Sequence, residues 1–513
     1  MEQDHDVPAL IVQHKWLVSI SVMMATVMQI LDTTIANVAL PHMQTSLGAT
    51  ADTVTWVLTS YMLATAVAIP ITGWLSDQFG VRRLFILSVV GFTLSSMLCG
   101  IATNLPEMVG FRVMQGVSAA FIGPLSQSVM LDINKPSQHA RAMSIWGMGI
   151  MVGPILGPVL GGWLTENFNW RWVFYINVPF GIATTLIFIA LLRDKPIRKR
   201  RFDMFGFAML AIGLSALQLM LDRGHQVDWF DSWEVLLYLG IAISAGWIFI
   251  VHSATSPHPL FDRAIFANSN LVSALAFMLV VGLVMFASAA LIPPMLQNLF
   301  GYPVIDTGFM MAPRGVGVLV SMAIAGRLVT LIDPRILMVT GASLSAWSFW
   351  LMSGWSLEMD WWPVVSSGVV QGMGMGLVFI PMNTLAFATL SPQFRTDGAS
   401  LLNLSRSIGA SVSISFMTAL FARNVQVSHN DLVGHVTDSS LTTFDYAELA
   451  RFGQYGDAIL TGINGEITRQ AAMVAYIDDF WLMMLINIAA IPLLLLLRRP
   501  KNSTAIKPPL MMD

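Results

Sequence analysis

Three charged side chains stand out because the segments around them are otherwise apolar. Asp32 lies in an apolar run over 16–40, Arg112 in one over 106–131 and Arg406 in one over 399–420. A carboxylate buried in hydrocarbon costs several kcal/mol unless it is protonated or paired. Asp32 therefore has two readings. It is a protonation site coupled to movement of a solute, or a counter-charge for one. Alternatively it makes a structural hydrogen bond to Asn37 or to a neighbouring helix. Apolar surroundings would favour its protonated form. Arg112 is always charged, so it either packs against backbone carbonyls or serves as an electrostatic partner. Gln29, Asn37, Gln115, Gln127, Asn383 and Asn403, with Arg406, are the polar groups expected to line a substrate cavity. The competing expectation is that such groups bond between helices. Arg314, near the start of its run, can snorkel outward.

Other chemistries are missing from the sequence. No Gly-Lys dipeptide exists, so there is no phosphate-binding loop of the Walker type. No His-Glu-x-x-His zinc motif and no nucleophile elbow occurs. The nine histidines have no metal-ligand spacing, and no cofactor is expected. A net charge of −3 leaves no footprint for nucleic acid. The expectation is a protein that is not an enzyme and draws on an ion gradient.

The elements that must hold these residues follow from composition. Charged residues make up 11% of the 513 positions, against about 25% in soluble domains. Apolar residues make up 55%. Fourteen apolar runs of crossing length are found, near 16–40, 54–75, 83–103, 106–131, 143–163, 172–192, 204–222, 235–252, 270–293, 307–329, 335–355, 362–388, 399–420 and 478–497. The polar stretch 421–477 reads as a large periplasmic loop with a short helix near 445–470. Lys and Arg set the orientation. With the N-terminus inside, 19 of the 27 lie on cytoplasmic segments, five on the opposite side and three within spans. Both termini are thus expected in the cytoplasm.

The halves echo each other. Gly73-Trp74-Leu75 recurs as Gly326-Arg327-Leu328, and Gln115-Gly116 as Gln371-Gly372, at offsets of 253 and 256 residues. This predicts an all-α membrane protein of two six-helix bundles related by duplication, with two extra helices. The expected domains are an N-terminal bundle over 1–192, a basic linker with two inserted helices over 193–260, and a C-terminal bundle over 261–513.

Several stretches carry conformational signals. Gly73, Asp77, Gly80 and Arg82 mark the turn after the second run, where glycine permits a tight reversal and Asp77 can cap or pair. Gly153, Pro154, Gly157, Pro158, Gly161 and Gly162 give the fifth run a flat face for close contact and two helix-softening prolines.

These residues resemble a known family. The stretch from Gly73 to Arg83 is similar to motif A of the major facilitator superfamily, and Arg112-x-x-Gln115-Gly116 to its motif B. The glycine–proline run ending at Gly162 resembles motif C, the mark of drug:proton antiporters. Leu31-Asp32-Thr33-Thr34-Ile35-Ala36-Asn37-Val38-Ala39-Leu40-Pro41 resembles the signature of the fourteen-helix drug antiporters. Trp170-Arg171-Trp172, Asn177, Pro179 and Leu221-Asp222-Arg223-Gly224 extend the likeness over essentially the whole chain. Val81 stands where motif A usually has a basic residue, and Thr330 replaces the acidic residue in the second-half copy.

The resemblance implies a proton-coupled multidrug efflux transporter, exporting hydrophobic small molecules across the bacterial inner membrane by alternating access. It implies that Arg112 tunes the proton site at Asp32. It also implies membership of a tripartite system, with a periplasmic membrane-fusion adaptor and an outer-membrane channel as partners. An uptake permease for a small polar solute is the alternative; it would need more charged cavity residues and no motif C.

Overall fold

A computed structural model of the chain describes residues 6–194, 197–198, 200–224, 227, 229–435, 454–495 and 497. Among them every regular element is helical. Backbone polar groups in hydrocarbon must be satisfied within the segment, which long helices achieve. Fourteen long helices follow one another: α1 (Lys15–Ser46), α2 (Trp56–Phe79), α3 (Val81–Ile101), α4 (Leu105–Asp132), α5 (His139–Asn167), α6 (Trp172–Leu191), α7 (Met204–Gly224), α8 (Trp233–Thr255), α9 (Ser269–Asn298), α10 (Val304–Leu328), α11 (Pro334–Met352), α12 (Trp362–Ala388), α13 (Arg395–His435) and α14 (Gln454–Leu495). Twelve helices of the described chain are long and apolar enough to cross a membrane. The 29-residue α5 and the 19-residue α11 have the length and pack among them.

Local chemistry sets the ends. Asn104 caps α4 by accepting from the Glu107 N–H, and Asp333 caps α11 by accepting from the Arg335 N–H. Gly80 closes α2 at φ +87°, a conformation that side chains resist. A Cβ there would also lie 2.8 Å from the Asp194 carboxylate, which accepts from the Arg82 backbone N–H and so begins α3.

The packing repeats. α1 packs on α5 and α6, α2 on α4, and α3 on α4 and α6. α9 packs on α13 and α14, α10 on α12, and α11 on α12 and α14. The two sets of six meet through α5 against α10 and α13 against α2 and α4, while α7 and α8 pack on each other.

One expectation needs correction. The stretch 421–477 is not a loop throughout: α13 continues to His435 and α14 starts at Gln454. Helices of 41 and 42 residues run to about 60 Å, twice a hydrocarbon core of about 30 Å. They form a projecting hairpin, tied where His429 Nε2 meets Asn464 Oδ1 at 3.0 Å. The polar residues that read as loop are the solvated faces of these helix ends. The remainder of that stretch, 436–453, lies outside the described residues.

Candidate functional site

Asp32 is completely buried, on the side of α1 that faces α4 and α6. Arg112 Nη1 pairs with its Oδ2 at 2.7 Å. The Gln115 and Asn177 amides each donate to its Oδ1 at 2.9 Å. The surroundings are thus polar, not the apolar ones expected. Three donors, one of them a guanidinium, satisfy both carboxylate oxygens. Its partner amide is Asn177 of α6, not Asn37. Asn37 is exposed on α1, on a stripe with Gln29 and Thr33 that recurs every four residues.

Arg112 is held as firmly. Its Nε donates to the Val57 carbonyl at 2.9 Å and its Nη1 also donates to Gln115 Oε1 at 2.8 Å. The guanidinium lies 4.3 Å from the Tyr61 ring centre and 5.7 Å from that of Phe174. Asn177 reaches Ser96 Oγ at 3.0 Å, and Ser96 donates to the Phe174 carbonyl. Gln115, expected to line a cavity, belongs instead to this closed cluster, because both its amide ends are used there.

Of the other expected cavity residues, Gln29, Gln127, Asn383, Asn403 and Arg406 converge between the two sets of helices, and Asn37 does not. Gln127 Nε2 donates to Asn383 Oδ1 at 3.3 Å, Asn403 Nδ2 donates to Gln127 Oε1 at 2.9 Å, and Arg406 Nη2 donates to Asn403 Oδ1 at 2.9 Å. Gln29 Oε1 and Asn403 Oδ1 both stand near Gly123. This chain links α4, α12 and α13 across the seam, with Gln29 of α1 beside it.

The glycine face of α5 explains how α1 is held. A Cβ at Gly153 would come 2.9 Å from Ile30, one at Gly161 would come 3.1 Å from Ile35, and one at Gly157 would overlap the Thr34 hydroxyl. The three glycines therefore seat α5 against the stretch of α1 that carries Asp32. Gly162 is off this face, with open space beside it. The side chains of Pro154 and Pro158 lie outside the described residues. On its other side α5 touches α10, where Ser144 Oγ donates to the Met322 carbonyl at 2.7 Å.

A family model described as Major Facilitator Superfamily matches residues 22–414. The chain belongs to the major facilitator superfamily. It is 33% identical over 475 residues to the multidrug export protein EmrB of Escherichia coli (strain K12), covering 91% of this chain and 92% of that one. It is 35% identical to the Haemophilus influenzae protein of the same name, with the same coverage. It is 33% identical over 495 residues to the fatty acid resistance protein FarB of Neisseria gonorrhoeae, covering 95% and 96%. Among solved structures, the proton:xylose symporter XylE superposes with a TM-score of 0.61 at 11% identity, over 93% of this chain and 94% of that one. The human organic anion transporter MFSD10 does so with 0.59 at 15%, over 92% and 99%. These two share the fold. The protein is a multi-pass membrane protein with the two six-helix bundles of this superfamily.

In the facilitator fold the turn after α2 forms a clasp. Arg200 of the linker reaches Asp77 at 3.2 Å and Asp397 of α13 at 2.9 Å. A Cβ at Gly73 would overlap the Asp397 carboxylate, so glycine is required there. Arg82 Nη2 donates to the Ile189 carbonyl at 2.6 Å, which ties α3 to the end of α6. Asp132 of α4 pairs with Arg395 of α13 at 3.0 Å, and Ser128 bonds Thr396 at 3.0 Å. The N-terminal segment covers this end: the Leu10 N–H donates to the Asp132 carbonyl at 2.8 Å. The Ser137 N–H and hydroxyl donate to Asp6 and hold its carboxyl below the usual range.

Sequence reasoning assigned no site role to Asn177, Asp132, Arg395, Asp397 or Arg200. Asn177 was visible as a polar residue within an apolar run. The others lie at run ends, where charge is ordinary and nothing in the sequence says which ends meet.

Proposed function

We propose that this protein is a proton-coupled exporter of hydrophobic small molecules working by alternating access, with Asp32 and Arg112 as its coupling pair. The observation that carries this reading is the fully buried Asp32–Arg112–Gln115–Asn177 cluster beside the glycine face of α5. The likeness to multidrug export proteins over nine-tenths of the chain supports the substrate class. A buried pair is costly to keep as ions unless its partners remain in place. Movement of α1 against α4 and α6 separates them, and a proton on Asp32 then replaces the guanidinium. Substrate binding at the Gln29–Gln127–Asn383–Asn403–Arg406 seam competes for the conformation in which that proton is held.

The test is Asp32→Asn in proteoliposomes under an imposed pH gradient. The expected result is loss of proton-driven export from a protein that still inserts and folds. Export at the wild-type rate would overturn the reading.

The reading includes fourteen crossings with both termini in the cytoplasm, supported by the 19-to-5 distribution of Lys and Arg. It divides the chain at 192 and 261 and places it in a bacterial inner membrane. The clasp end is then cytoplasmic and the α13–α14 hairpin periplasmic. We assign that hairpin to a periplasmic adaptor of a tripartite system that ends in an outer-membrane channel. Trimming it at His429 and Asn464, whose side chains already touch, should abolish drug resistance in cells and leave export into vesicles unchanged. Loss of both would assign the hairpin to folding instead.

A further inference from the structure

We propose that Asp479 is a second proton-binding site, in the C-terminal bundle, and that it carries a proton in the conformation described. The sequence reading placed the last run at 478 and so passed over this residue. In the structure α14 starts at Gln454, and Asp479 falls near the middle of its apolar portion, Thr461–Leu494. Its side chain is completely buried, and neither carboxylate oxygen has a hydrogen-bond partner among the described residues. Its neighbours along the helix face, Ala472, Ala475, Tyr476 and Met483, are buried as well. Asp478, one position away, is turned outward.

Among the described residues no cation answers Asp479. α9 contributes no charged residue at all. The one charge on α11, Arg335, is at its first turn, whereas the part of α11 in the same apolar cluster is Ala346, Phe349 and Met352. On α13 the matching residues are Met417 and Phe421, the latter with its ring centre 4.3 Å from that of Tyr476 and tilted by 39°. Arg406 lies eleven positions below Met417, roughly 16 Å along the helix, and donates to Asn403. Arg395 is held by Asp132 and Asp397 by Arg200, at the far end of α13. Arg423 is exposed, and His429, Asp431 and His435 lie beyond it on the projecting end. Arg314 of α10 turns to the Met285 carbonyl and the Met375 sulfur. On α14 itself, Glu466 and Arg469 pair with each other, and Tyr476 is neutral.

An ionised carboxylate in such a place would be both desolvated and unpaired. A proton removes the charge without requiring a partner. Losing that proton needs water, hence separation of α14 from α13 or α11. Proton release at Asp479 is thereby tied to a change of conformation, as alternating access requires. This coupling role rests on the proposed antiport; the protonation itself does not.

The experiment is infrared difference spectroscopy of the full-length protein in lipid nanodiscs across a pH titration, reading the carbonyl stretch of protonated carboxyl groups. The expected wild type retains such a band near neutral pH. Asp479→Asn removes it, Asp479→Glu shifts it, and Asp32→Asn leaves it in place. A band unchanged in Asp479→Asn would overturn the proposal. Asp479→Leu should insert and fold like the wild type, since no bond is lost; failure of this variant to fold, with the Asn variant intact, would point to a hidden partner and also overturn it. Coupling is read in proteoliposomes as the number of protons exchanged per substrate, which should fall by one in Asp479→Asn. An unchanged count would overturn the coupling role. A wild type without any proton-driven export would defeat the proposed antiport and leave the infrared result standing.

Discussion

Each bundle buries a glutamine just before a glycine on its fourth helix, yet the two glutamines are treated differently. Gln115 spends both amide ends on Asp32 and Arg112. Gln371 is equally buried, and among the described residues neither its nitrogen nor its oxygen has a partner. The contrast extends around them. Where a Cβ on Gly116 would meet the Tyr61 carbonyl, one on Gly372 would meet that of Arg314. The duplicated position that presents an aromatic ring to Arg112 in one bundle therefore holds a half-buried arginine in the other. The first helix of the N-terminal bundle carries Asp32, and that of the C-terminal bundle carries no charge. One bundle is thus a closed electrostatic unit. The other holds Arg314, Gln371, Arg406 and Asp479 with no ion pair among them in the described chain. The two bundles share their packing but not their polar chemistry.

The largest break in this comparison comes from Arg112→Leu. It leaves Asp32 buried with amide donors only, which typically costs about 3–5 kcal/mol. Thermal unfolding in detergent should show a large loss, partly recovered in the double variant Asp32→Asn/Arg112→Leu, because the uncompensated charge is then gone. A double variant no more stable than the single one would show that the pair is not coupled.

The sharpest version of the comparison sets Gln115→Leu against Gln371→Leu. The first strips hydrogen bonds from two charged groups, worth about 1.5–3 kcal/mol each by common measure. The second removes two unsatisfied polar atoms and should be neutral or stabilising. Equal losses for the two variants would erase the difference between the bundles.

A smaller effect is expected at the clasp. Arg200 is about one-fifth exposed, so its two ion pairs together contribute on the order of 1 kcal/mol. Arg200→Ala should shift the ratio of closed to open clasp roughly fivefold, read as spin-label distances between α2 and α13. An unchanged distribution would show that Arg395–Asp132 and the close packing at Gly73 hold this end without it.

How much of this was legible beforehand differs by level. Fourteen helical segments in two bundles were readable because bilayer length and apolarity leave few alternatives. Asp32 and Arg112 were readable because charge is so rare in such segments. Their actual contact was not, since residues 80 positions apart meet only through the packing of α1 on α4. The partner Asn177 needed the register of α6 as well. Gln115 was assigned to the wrong neighbours because a polar residue on a span can face the seam or its own bundle, and only packing decides. Asp479 was missed for a plainer reason: an acidic pair at the edge of an apolar run looks like the end of a helix, and the helix continued for more than twenty residues before it.

The central claim is that Asp32 couples a proton to export. The most direct measurement is substrate flux in proteoliposomes under a pH gradient, comparing the wild type with Asp32→Asn at matched protein content and matched thermal stability. The account predicts that the gradient accelerates export by the wild type and has no effect on the variant. A variant that responds to the gradient as the wild type does would contradict it.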